Sequence, residues 1–184
     1  MSPIPSSHAL LDPEAILREA GLSLDMTYAD LGAGTLGYFV LPAARIVGPS
    51  GKVYAVDILK SALQSIESRT QLEGITNIQT VWGDLERAGG IKIPTASLDL
   101  VSFVNVAHLL IRSLVPLEEA KRIVRPGGRV LVVDWDPDAG SLLVSRAHRV
   151  AADQVKQQFL ANGFILNGEF IAGPQHWGLL FKRP

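Results

Sequence analysis

The chain has 184 residues, 47% of them hydrophobic and 19% charged, enough for one filled core and short for two. Its formal net charge of -1 offers no positive field to a phosphate backbone, so nucleic acid is not favoured as a partner, and no run of about 18 apolar residues predicts a membrane span. The absence of cysteine excludes disulfides, thiolate metal sites and a cysteine nucleophile, a composition that fits the cytoplasm.

The opening MSPIPSSHALLDP has no basic start before an apolar stretch, so no secretion signal is expected, and residues 1–10 read as a loose arm. Asp12, Pro13 and Glu14 give a cap, a first-turn proline and a first-turn acid for a helix over 11–20. A strand over 27–31, a helix over 38–47 and a β-branched strand over 52–56 make one βαβ unit. Pro42 would cost about 3 kcal/mol inside a helix, so it belongs in the first turn, where amide hydrogens have no intrahelical partner. The rhythm repeats with a helix over 59–73, a strand over 78–82, an unbroken apolar strand over 98–104 and a helix over 116–124. That last helix carries Glu118 and Glu119 early and Lys121 and Arg122 late, which suits its dipole.

Arg125-Pro126-Gly127-Gly128 predicts a type II turn before a strand over 129–134. A helix over 152–162 precedes strands over 164–171 and 176–182, and a link as short as AGPQ forces that pair to be antiparallel. The expected fold is a single α/β domain over 1–184: a doubly wound, Rossmann-like, mostly parallel sheet of seven strands ending in an antiparallel hairpin.

GAGTLG places Gly32, Gly34 and Gly37 in the spacing of a nucleotide-binding loop between strand and helix. In a doubly wound sheet ligands lie across the carboxyl ends of the strands, and here three strands in succession end at an acid: Asp30, Asp57 and Asp84. Asp57 suits the two ribose hydroxyls of NAD or of an adenosine. Asp30, two residues before the first glycine, would repel the pyrophosphate of NAD but attract a ligand with an ammonium and a sulfonium, such as S-adenosylmethionine. Asp84 can accept a hydrogen bond from an adenine amine, with Ile58 and Leu85 as apolar faces for the ring.

The residues DLGAG with Gly37 and Tyr38-Phe39, then KVYAVDI, Gly83-Asp84, NVAH, RPGGRVLVVDW, ANGF and HWGLLFK resemble the class I S-adenosylmethionine-dependent methyltransferases of the small ubiquinone/menaquinone-biosynthesis-like group. The likeness covers nearly the whole chain from Leu11 onward. It implies S-adenosylmethionine as cofactor, with Gly32 and Gly34 near its methionine part, Asp57 at the ribose, Asp84 and Leu85 at the adenine, Asn105 near the reacting end, and Ala33, Gly37, Tyr38 and Ile58 also among the cofactor-binding residues. It also implies a seven-stranded sheet whose last strand runs antiparallel, and a small-molecule methyl acceptor. One departure is Leu36 where the family carries its third glycine: either the loop has gained one residue, or Leu36 points into the cofactor space.

Weaker candidates complete the site. His108, three residues after Asn105, could act as a base on the acceptor, and Asp134 or Asp136 beyond the fifth strand could orient a nucleophile, although each could equally serve a helix start or a loop. His176 and Trp177 read as packing residues, and His148 and Arg149 as ties for the segment after Trp135. Four scattered histidines predict no metal site. NPPY and DPPY are absent after the fourth strand, which argues against nucleic-acid and protein amino-group acceptors. YxxxK is absent too, against a short-chain dehydrogenase. The competing readings are an NAD-linked oxidoreductase and a module that binds S-adenosylmethionine without turnover. The 11–20 helix is a candidate lid.

Overall fold

The computed structural model describes residues 11–138 and 149–184; the 1–10 arm and His148 lie outside them. Thirteen elements follow in chain order: α1 (Pro13–Glu19), β1 (Thr27–Leu31), α2 (Val40–Val47), β2 (Lys52–Asp57), α3 (Lys60–Leu72), β3 (Ile78–Trp82), β4 (Leu98–Val104), α4 (Ala107–Arg112), α5 (Val115–Ile123), β5 (Val124–Trp135), α6 (Ala152–Ala161), β6 (Ile165–Gly173) and β7 (His176–Lys182). The strands form one sheet in the order β3-β2-β1-β4-β5-β7-β6. All neighbours are parallel except β7, which runs antiparallel to both β5 and β6.

Each face of the sheet has its own apolar layer. Residues 29 and 31 of β1 share one face with Phe103, Val130, Val132, Leu179 and Phe181, under α4, α5 and α6. Tyr28 shares the other with Leu100, Leu131, Val133 and Leu180, under α1, α2 and Ile66 of α3. This is the period of two that sends successive strand residues to opposite sides. Because both sides are covered, β4 reads as a nearly unbroken apolar run.

α1 begins where Asp12 accepts from the Ala15 amide (3.1 Å) and is fastened at both ends. The Tyr38 hydroxyl donates to Leu11 O (2.8 Å), and Arg129 of β5 donates to Ala20 O (2.6 Å). Pro42 is the third residue of α2, in its first turn, between the Leu41 and Ala43 amides that donate to Gly37 O and Phe39 O (3.1 and 3.0 Å). The turn at 125–128 is present, with Gly127 at φ 77, but it is absorbed into β5. The register jumps from Leu98↔Val124 to Leu100↔Arg129, so five residues of β5 advance against two of β4, and the Gly127 amide donates to Arg183 O (2.8 Å) beside β7. The sequence expectation of a separate turn is corrected to a bulge inside one long strand.

Candidate active site

The sheet order reverses between β1 and β4, and at such a point the connections leave in opposite directions and open a crevice beyond the strand ends. The chain leaves β1 through 32–39. The Gly32 and Ala33 amides both donate to Val56 O (2.9 and 3.0 Å), which folds the loop back over β2. Gly34 has φ 63, and a Cβ built there would meet nothing within 4 Å: the position faces open space. Gly37 has φ 56, and its Cβ would come 3.1 Å from Ile66 Cγ1, so the loop packs against α3 there.

Two cavities adjoin along this loop and share Gly32, Gly34 and Val106. The first, about 370 Å³, is lined by Asp30, Ala33, Tyr38 and Asn105, with Leu11 and Leu36 on its outer side. The second, about 330 Å³, is lined by Asp57, Ile58, Asp84, Leu85, Glu86 and Leu109. Every sequence-derived cofactor candidate except Gly37 therefore lines one of the two. Gly37 faces a third, outer cavity beside Leu36, Arg45 and Arg69. Leu36 is 63% exposed, borders both the first and the outer cavity, and has its carbonyl held by Arg69 (2.6 Å).

The acids differ in their surroundings. Asp30 is 3% exposed; burial pushes its carboxyl up to about 7, a bond from the Ser102 hydroxyl (2.6 Å) pulls the other way, and the charge of Asp57 adds to the rise. Asp57 accepts from the Gly34 amide (2.9 Å) and the Leu59 amide (2.8 Å), so it clamps the glycine loop to the end of β2. Each carboxylate oxygen keeps a second lone pair for a ligand hydroxyl. Asp84 accepts from the Glu86 amide (2.9 Å). Asn105 follows β4 at φ 59 with its amide on Val133 O (2.9 Å), an uncommon conformation for a residue other than glycine, held here beside the cavity.

A buried acid at one end of a glycine-floored crevice and two acids with apolar neighbours at the other suit a molecule with a cationic end and an adenosine end. A family model described as a methyltransferase domain matches residues 22–180. The chain belongs to the class I S-adenosylmethionine-dependent methyltransferases. The ubiquinone/menaquinone biosynthesis C-methyltransferase UbiE of Hahella chejuensis is 32% identical over 133 residues, covering 72% of this chain and 51% of that protein, so the chain spans about half the length of that relative. Two solved structures share the fold: a SAM dependent methyltransferase from Aquifex aeolicus (TM-score 0.89, 24% identity, 98% of this chain and 94% of that one) and the cyclase SpnF (TM-score 0.73, 15% identity, 94% and 79%). At those identities the likeness is one of fold.

None of the candidates for acceptor chemistry is among the residues that line the two cavities. His108 is half-buried in the first turn of α4. Asp134, 2% exposed, spends both oxygens on backbone: it accepts from the Ala107 amide that starts α4 (2.7 Å) and from the Trp135 amide (2.7 Å), while burial pushes its carboxyl up to about 6 against those two bonds. Asp136 lines a separate cavity with Phe170, His176 and Trp177. Trp177 donates to Val150 O (2.9 Å), and Arg149 approaches Pro137 O (3.5 Å). Among the described residues no cluster suits a metal ion, and no helix is long and apolar enough to cross a membrane.

The sequence reading leaves out Val104 and Val106, which flank Asn105, and Leu109, one turn on; all three border the cavities. The signal is their placement just past an apolar strand at the reversal of strand order. It also leaves out Ser102 and Tyr28 beneath Asp30, for which nothing local in the sequence gives a signal.

Proposed function

We propose that this chain transfers the methyl group of S-adenosylmethionine to a small-molecule acceptor, leaving S-adenosylhomocysteine. The observation that carries this reading is the pair of cavities joined across Gly32 and Gly34, with Asp30 in one and Asp57 and Asp84 in the other. The open Cβ position at Gly34 lets backbone come close to a ligand lying across both. In this reading Asp30, with Ala33, Tyr38 and Asn105, surrounds the positive methionine end. Asp57 takes the ribose hydroxyls, Asp84 the adenine amine, and Ile58 and Leu85 the ring faces.

The cofactor supplies an already activated methyl group, so most of what the protein contributes is orientation and exclusion of water. α1, pinned by Tyr38 and Arg129, is the lid of this scheme, with Leu11 over the first cavity. His108 is the candidate base toward the acceptor. Asp134 is better suited to holding the start of α4, and so the placement of His108, than to accepting a proton itself. A small acceptor is favoured by the cavity sizes and by the quinone-biosynthesis relative, which matches over half its length. The NAD-linked alternative loses ground to Asp30, whose ionised form would oppose a pyrophosphate.

Calorimetric titration with S-adenosylhomocysteine and, separately, NAD tests the proposal. Binding of the first alone is expected, with at least tenfold weakening in Asp57→Ala (about 1.4 kcal/mol). NAD binding alone would establish the oxidoreductase. Cofactor binding with no methyl transfer across phenolic, quinol and amine acceptors would leave a non-catalytic binding module.

A further inference from the structure

The proposal below rests on reading the first cavity as the place of the cofactor's positive end. Beneath that cavity lies a chain of three polar side chains inside an otherwise apolar face. Tyr28 and Asp30 occupy alternate positions of β1 and point to the same side, and Ser102 of β4 sits opposite Asp30 in the register. Tyr28 and Ser102 are fully buried and Asp30 nearly so. Ser102 Oγ donates to Asp30 Oδ1 at 2.6 Å, and the Tyr28 hydroxyl lies 2.5 Å from Ser102 Oγ. A serine has one hydroxyl hydrogen, and Ser102 gives it to Asp30, so the short contact above it is filled by the hydrogen of Tyr28.

The chain thus has a direction, from Tyr28 through Ser102 to Asp30, and both hydroxyl hydrogens have an acceptor when Asp30 is a carboxylate. A proton on Oδ1 would reverse the Ser102 bond and strand the tyrosine hydrogen in an apolar layer, and a proton on Oδ2 would weaken the final acceptor. We propose that Tyr28 and Ser102 are positioning residues that keep Asp30 an oriented carboxylate, so that affinity for the cationic end of the cofactor depends on a tyrosine hydroxyl buried below the cavity.

The titratable groups around Asp30 are Tyr28 on its own strand, Asp57 on β2 and Tyr38 in the same cavity; β4 presents Ser102, which does not titrate. Burial and Asp57 push the Asp30 carboxyl up and the Ser102 bond opposes them, while Tyr28, buried beside that acid, is held well above the usual phenol range. Removing Ser102 leaves only the influences that raise Asp30, and removing Tyr28 frees the Ser102 hydroxyl to turn and accept from a protonated carboxyl at no cost, so by either route its ionised fraction at neutral pH falls.

Titration with S-adenosylhomocysteine from about pH 6 to about pH 8.5 tests this in wild type, Tyr28→Phe, Ser102→Ala and Ser102→Thr. Wild-type affinity is expected to fall below about pH 7. In Tyr28→Phe and Ser102→Ala the midpoint moves up by about one pH unit, so binding is about fivefold weaker at pH 7 and within about twofold of wild type at pH 8.5. Ser102→Thr keeps a hydroxyl and the wild-type midpoint, and Asp30→Asn gives a flat profile. Weakening that is equal at every pH with an unmoved midpoint, accompanied by a lower melting temperature, would mean a merely structural role and overturn the proposal. Wild type that fails to bind at any pH would instead overturn the reading of the cavity, and the relay with it.

Discussion

His176 is a titratable group sealed into the end of the sheet. Its ring lies 4.1 Å from that of Trp135, its cross-strand neighbour, and both ring nitrogens are buried without a hydrogen-bond partner among the described residues. Burial holds its pKa down to about 4. The unfolded chain takes up a proton below about pH 6.5 that the folded chain refuses, so the stability tied to this residue is present above about 6.5 and lost as pH falls toward 4. His176→Phe keeps a ring in the stack and removes the nitrogens. It is expected to be more stable than wild type by on the order of 2 kcal/mol near pH 4.5 and by much less near pH 7.5, measured by chemical denaturation at both. Parallel losses in the two proteins would show that His176 does not titrate in this window. At Asp134 the expectation is opposite in sign: Asp134→Ala strands the Ala107 and Trp135 amides and should lower unfolding free energy by about 2 to 4 kcal/mol in the same assay.

Among the elements, the glycine loop separates two duties that one motif spacing presents as alike. A methyl group on Gly34 enters open space at the junction of the cavities, whereas one on Gly37 presses on Ile66 of α3. Gly34→Ala should therefore cost about 1 kcal/mol of stability through its positive φ while weakening S-adenosylhomocysteine at least tenfold. Gly37→Ala should lose more stability and less affinity, and calorimetry with thermal melts on both proteins checks the contrast. The strands over 27–31, 78–82, 98–104 and 176–182 are legible to the residue because apolar, β-branched runs end there against glycine, acid or turn residues. α4 is harder to delimit: it has six residues, and its N-cap, Val106, makes no side-chain capping bond. Its start depends on Asp134, 27 residues away in sequence. The 125–128 turn is legible as a turn, and its absorption into β5 is not, because that is decided by pairing with β4 and with Arg183. At the site, acids at strand ends can be read once the strands are placed. The Tyr28–Ser102 contact spans 74 residues and joins two strand interiors, so no window along the chain contains it.

For the whole molecule, cofactor binding is expected to act as a global staple, because the two cavities draw on β1, β2 and β4, the region after β3, and α4. Ligand that binds only the folded state at about 100 times its dissociation constant adds about 2.7 kcal/mol, a rise of about 5 to 10 °C in melting temperature for a domain of this size. S-adenosylhomocysteine should produce that shift in a thermal scan and NAD should not. The position of β7 bears on how the protein is made. It lies between β5 and β6 and pairs with both, so β6, synthesised earlier, has no place in the sheet until β7 arrives. A nascent chain halted on the ribosome with β7 still in the exit tunnel would expose the open edge of β5 and an undocked β6, a state inviting chaperone engagement. The sheet closes only after that strand emerges and inserts between its two neighbours.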